Sequence, residues 1–266
     1  METTTIHLNT EDKQHCDNLF YIYSSHISHV SGLLQVIVKN NQSYQARNID
    51  EQEIFSISEI EKATEALIDL LENLTQSLIL KLEKYFKEKY CLVFNSLIPD
   101  RGSVNLDPVP SYNFIVENIT KQVGENLQQS GKQQIINRFL KCFYSNSLPT
   151  LKGNKITILH FVSIDAHHGE KTSLNYDYNL RIEHLLNALN LFLNNSTELP
   201  QDIQSKLVDW KRSLNLADHY TVFPEVSFKF YKNRRIDMLF ANAITAIKFW
   251  NYYRLENIEK VINEND

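Results

Sequence analysis

The densest group of potentially reactive side chains is Asp165-Ala166-His167-His168-Gly169-Glu170. Two carboxylates and two imidazoles within six residues can supply ligands to a divalent metal, which would activate a water for hydrolysis. The segment follows an extended run, where adjacent side chains point to opposite sides, and its spacing is not that of a helical metalloprotease motif. A solvated loop is therefore the competing reading. His160, within the extended run, can approach the same place. Arg181 and His184 lie three apart on a predicted helix, beside Asp177 and Glu183. An arginine and a histidine so placed can orient and protonate a phosphodiester, although an ion pair at a helix start explains them equally simply. His26 and His29, with His15 and Cys16 upstream, have zinc-ligand chemistry but no second closely spaced pair to complete a site. The chain has no Gly-x-Ser-x-Gly elbow, phosphate loop or dinucleotide fingerprint. No cofactor is expected, and the only metal candidates are Asp165, His167 and His168.

A different chemistry resides near the C-terminal end. Lys229, Lys232, Arg234 and Arg235, with Lys211, Arg212, Lys248 and Arg254, can contact phosphates, while Tyr231 or Tyr252 can stack on an unpaired base. The same residues suit a protein-docking face or a solvated sheet surface. Charge is distributed unevenly around a net of -5. Residues 50–83 carry nine acidic side chains against Lys62 and Lys81, and residues 206–254 carry nine basic against four acidic. The overall charge argues against polyanion binding across the whole surface, and the asymmetry leaves room for a local basic face.

The elements that must position these groups follow from periodicity. Six glycines and six prolines in 266 residues favour long helices over a turn-rich sandwich. Residues 15–39 have helical apolar spacing and predict one or two short helices, preceded by a frayed start and followed by an irregular 40–52. A long helix is predicted over 58–94, opened by the capping-box pair Ser58 and Glu61; at about 50 Å it calls for a break, a kink or a protruding arm. Turn signals at 99–110 suggest an internal boundary, dividing a helical region 1–98 from a mixed region 108–266. Helices are expected at 112–127, 131–144, 178–193, 201–214 and 242–262. Strands are expected at about 155–164, 222–232 and 235–240, forming a small, mostly antiparallel sheet covered by the C-terminal helices. The fold class is α+β, mainly helical, with the long helices in the N-terminal half. Cys16, Cys91 and Cys142 are odd in number and far apart, as suits buried thiols in a reducing, cytoplasmic setting. No signal peptide or membrane span is read from the chain.

Four pieces of sequence carry a resemblance. They are Asn137-Arg138-Phe139-Leu140-Lys141-Cys142-Phe143, then Gly153-Asn154-Lys155-Ile156-Thr157-Ile158, then Arg181-Ile182-Glu183-His184-Leu185-Leu186-Asn187-Ala188-Leu189, and finally Phe230 to Phe240. Together they resemble a bacterial and phage domain of unknown function often found beside adenine-specific DNA methyltransferase modules, over about residues 55–255. The resemblance implies an α+β fold and a DNA-modification or mobile-element context, and carries no established catalytic residues. Arg234 stands where that pattern usually has glycine, so a wider turn is expected there; Asp237 replaces a common histidine, and His184 an acidic residue.

Three functional readings follow. The first is a non-enzymatic interaction domain binding DNA, RNA or a protein partner through the basic hairpin. The second is a metal-dependent hydrolase or nuclease built on Asp165, His167, His168 and His184. The third is a structural subunit or homo-oligomer that docks along the acidic helix from Glu59 to Glu88.

Overall fold

The computed structural model describes residues 10–46, 57–98, 112–144, 148–166, 172–175 and 179–258. The protein is α+β and mainly helical, with a small antiparallel sheet. The chain forms two compact units, one comprising residues 1–88 and 93–127, the other 89–92 and 128–266.

The first unit is built from α1 (Thr10–Ala46), α2 (Ile57–Tyr90) and α3 (Tyr112–Val123). In place of the one or two short helices expected over 15–39 stands one continuous helix of 37 residues, about 55 Å long, which also takes in residues expected to be frayed or irregular. Ser24, Ser25 and Gly32 do not interrupt it. The start of α1 meets the end of α2 with the two helices antiparallel: Tyr85 donates to Asp12 Oδ1 at 2.7 Å, His15 stacks on the Tyr85 ring, and Lys81 lies over Tyr23. The helix expected over 58–94 runs unbroken from 57 to 90. Beyond Ile27 no described residue of α1 is fully buried, and Leu33, Val36, Leu70 and Leu80 are exposed. Buried Glu83 holds the chain after α2, accepting from the Ser96 hydroxyl and from the Leu97 N–H while pairing with Lys87.

The second unit carries the sheet. Its helices are α4 (Leu127–Leu140), α5 (Asn179–Asn194), α6 (Gln201–Arg212) and α7 (Ala243–Tyr252), followed by a 3-10 turn at Leu255–Asn257. Five strands form one antiparallel sheet: β1 (Pro149–Lys152), β2 (Lys155–Ile158), β5 (Tyr220–Phe223), β6 (Val226–Phe230) and β7 (Ile236–Phe240), in the order β1-β2-β7-β6-β5. A separate hairpin joins β3 (Ile164–Ala166) to β4 (Thr172–Leu174). The strand expected over 155–164 is broken at Leu159–His160, where His160 takes φ 52°, and the run expected over 222–232 is two strands folded back at Pro224–Glu225.

Alternation decides the faces. Ile156 pairs with Met238 and Met238 with Phe228, while Ile158, Ile236 and Phe230 form the next row; all are fully buried. The helices lie on this side. Phe249 of α7 packs edge-on against Phe139 and Phe192 and tilts against Phe240, and Trp210 of α6 packs against Tyr220 and Phe230. Central α5 is buried almost all round from Leu185 to Leu191, as a helix apolar on every side must be. Its buried Asn190 is satisfied by donating to the Ser196 and Glu198 carbonyls and accepting from Asn194.

The end of α2 is gripped within this unit. Thr197 donates to the Lys89 carbonyl, Arg138 donates to the Cys91 carbonyl, and Gly131 lies so close to Tyr90 that a Cβ would stand 1.9 Å from its carbonyl oxygen. Gly131→Ala is therefore expected to lower stability by about 2 kcal/mol or more, whereas Gly32→Ala, in open space on α1, should raise it by up to about 1 kcal/mol. Denaturant titration of both variants checks the pair.

Candidate nucleic-acid interface

The face of the sheet opposite the helices is polar. Its rows follow from the register: Lys152 pairs with Lys155 beside Leu239 and Ser227, and Thr150 pairs with Thr157 beside Asp237 and Lys229. Arg235 and Tyr231 flank the hairpin end of the same face. No described helix packs over it, yet Asp237, in the middle strand, is only 2% exposed. It is covered by its own partners. Thr157 Oγ1 donates to Asp237 Oδ1 at 2.9 Å and Tyr231 OH to Oδ2 at 3.0 Å; Lys155 Nζ lies 3.4 Å from Oδ2 and Arg235 Nε 3.3 Å from Oδ1. The Arg235 guanidinium sits over the Tyr231 ring, 3.6 Å from its centroid.

The hairpin linking β6 and β7 is tight, against the wider loop expected from Arg234. Arg234 N–H donates to the Tyr231 carbonyl and Tyr231 N–H to the Arg235 carbonyl, a three-residue loop whose last member sits in the left-handed region. Arg234 takes φ 65° there despite its side chain. Its carbonyl accepts from Phe161 and Val162 N–H, so the chain after β2 fixes the turn.

The nine residues read from sequence as a binding set do not form one patch. Lys229, Tyr231 and Arg235 lie on the open face, with exposed Lys232 and Arg234 at its hairpin tip. Lys229 donates to the Ala217 carbonyl at 2.5 Å. Lys211 and Arg212 end α6 and Lys248 lies on α7, both helices of the opposite, core-covering layer. There the α6 pair complements the helix dipole. Arg254, with φ 50°, is the left-handed residue that follows α7, and its N–H donates to the Asn251 carbonyl. Sequence reading missed Asp237, Thr157, Lys155 and Lys152 as members of the face. The available signal was an aspartate inside the apolar run Ile236 to Phe240, but two of its four partners, Thr157 and Lys155, come from a strand about 80 residues away.

The candidate hydrolytic groups fall elsewhere. His167 and His168 lie outside the described residues. Asp165, on β3, accepts from Asn175 Nδ2 at both oxygens, 2.9 and 3.0 Å. Arg181 donates to the His160 carbonyl and lies over the Tyr144 ring. His184 sits near Arg138; burial, reinforced by that guanidinium, depresses its pKa to about 4. No cluster of three metal-ligating side chains occurs among the described residues. Cys91 is half-buried, Cys16 and Cys142 are buried, and none of the three is in a disulfide. Burial raises the Cys91 thiol pKa against the pull of Arg138 and pushes Cys142 up to about 12, so neither is poised as a nucleophile. A cleft lined by Ser196, Glu198, Leu199, Pro200, Gln201 and Gln204 has Glu198 as its one ionisable group. No described helix is long and apolar enough to cross a membrane.

No known protein family, curated protein or solved structure matches the chain.

Two outcomes follow from this geometry. Replacing Arg234 with glycine should raise the denaturation midpoint, by about 1 kcal/mol of stability, because the left-handed conformation no longer opposes a Cβ. His184 binds its proton more weakly folded than unfolded, so it contributes stability above about pH 6.5 that is lost as pH falls toward 4. Comparing Tm against pH for wild type and His184→Gln should show a shallower acid limb in the variant.

Proposed function

We propose that the open face of the five-stranded sheet binds nucleic acid, without catalysis by this chain. The observation that carries the reading is the register, which gathers Lys152, Lys155, Lys229 and Arg235 on one uncovered face, with Lys232 and Arg234 at its tip, against the single carboxylate of Asp237. Asp237 offsets one of these charges and leaves a cationic surface roughly 14 Å across four strands. That is a local polyanion site on an otherwise acidic protein. The hydroxyls of Thr150 and Ser227, between the cations, add neutral donors suited to phosphate and sugar oxygens. The resemblance noted above favours a DNA-modification or mobile-element setting for this binding.

The test is charge reversal away from the sheet's own ion pairs. Lys232→Glu combined with Arg234→Glu should weaken binding of labelled DNA and RNA in fluorescence anisotropy, and reduce the slope of log affinity against log salt by roughly 1 to 2. Wild-type protein that binds neither nucleic acid at low salt, or a double variant with unchanged affinity and slope, overturns the reading.

A further inference from the structure

Within that face, Arg235 differs from the other cations in being held in place. Its Nε is buried and faces Asp237 Oδ1 without hydrogen-bond geometry, and one side of its guanidinium lies on the Tyr231 ring. Neither terminal nitrogen has a hydrogen-bond acceptor among the described residues, and the side chain keeps 30% of its surface open. Tyr231 is in turn fixed by its hydroxyl on Asp237 Oδ2, and Asp237 by Thr157 and Lys155. The result is a guanidinium with its orientation set from below and its donor fork free. Lys152, Lys232 and Arg234 are exposed by comparison.

Resting on the reading of this face as a nucleic-acid surface, we infer that its ligand is single-stranded, with Arg235 contacting it through both the guanidinium plane and the fork, and Asp237 and Tyr231 acting as positioning residues. An unpaired nucleotide offers what this group can use together: a base to stack on the guanidinium plane and a phosphate or base edge to accept from its two terminal nitrogens. A duplex hides its base faces and would leave the guanidinium plane unused, engaging only the charge and the fork. The central carboxylate makes sense on this view. It lowers the net positive charge of the face, which works against simple electrostatic attraction, and in exchange it orders Arg235 before the ligand arrives.

That trade gives a test whose sign separates positioning from charge. Fluorescence anisotropy with labelled oligothymidylate and oligouridylate of about 20 nucleotides, and with a duplex of the same length, is measured across a salt series for wild type, Arg235→Lys and Asp237→Asn. Wild type should prefer the single strands. Arg235→Lys keeps the charge but loses plane and fork, so single-strand affinity should fall about tenfold with an unchanged salt slope and a smaller loss on the duplex, which never used the plane. Asp237→Asn makes the face more positive and should nonetheless weaken single-strand binding. Circular dichroism reports whether Asp237→Asn folds; if it does not, Arg235→Lys decides. Single-strand binding that is unaffected by Arg235→Lys, tightened by Asp237→Asn, or weaker than duplex binding overturns the inference and leaves the nucleic-acid reading standing. Absence of binding to every probe overturns both.

Discussion

The register of three neighbouring strands is the constraint on which the sheet-bearing unit depends. Along β7, Ile236, Met238 and Phe240 enter the core, while Arg235, Asp237 and Leu239 face the other way. Sliding β7 by one residue against β2 and β6 would drive Asp237 among phenylalanines and expose Met238. An unpaired buried carboxylate costs far more than a lost apolar contact, so the alternative pairing is disfavoured twice. The correct register also assembles the partners of Asp237 from both sides, Thr157 and Lys155 from β2 and Tyr231 from the end of β6. The polar arrangement on the open face is thus a consequence of the pairing that builds the core, and helps to specify it.

A second set of contacts works through backbone geometry. The last residues of α2 are held by a glycine of α4 that permits close approach, by a threonine hydroxyl, and by Arg138. Cys91 takes φ 54°, the left-handed conformation that commonly stops a helix, and Arg138 satisfies the carbonyl exposed there. Arg138 acts electrostatically as well as sterically, helping to hold His184 neutral and opposing the burial that raises the Cys91 thiol. His184 is therefore neutral at neutral pH.

The hairpin of β6 and β7 was legible in the sequence because both strands alternate apolar and polar residues with period two, and α2 because its apolar stripe is long. What escaped had weak local signals and strong distant partners. β1 offers only Pro149, Thr150, Leu151 and Lys152, and proline argues against a strand until an edge position explains it. β5 merged with β6 into one apolar run, although Pro224 and Glu225 marked the turn. The unity of α1 was hidden by its serines and Gly32. The basic residues were legible as a group in sequence but not in space, since Lys248 belongs to a helix on one face of the sheet and Lys229 to the other. No local pattern reveals that Asp237 is buried on an open face; that follows only from knowing which strands lie beside it.

Lys206 has a quieter role. From α6 it reaches the carbonyls of Thr221 and Val222, at 3.0 and 3.4 Å, on the outermost strand β5. The other outermost strand, β1, begins with Pro149, which has no N–H to offer. Each margin of the sheet is thus blunted where a foreign strand would otherwise align, one by occupied acceptors beside a fixed ammonium and one by a missing donor. Both margins of the sheet are in this way kept from adding a further strand, while its broad polar face stays open.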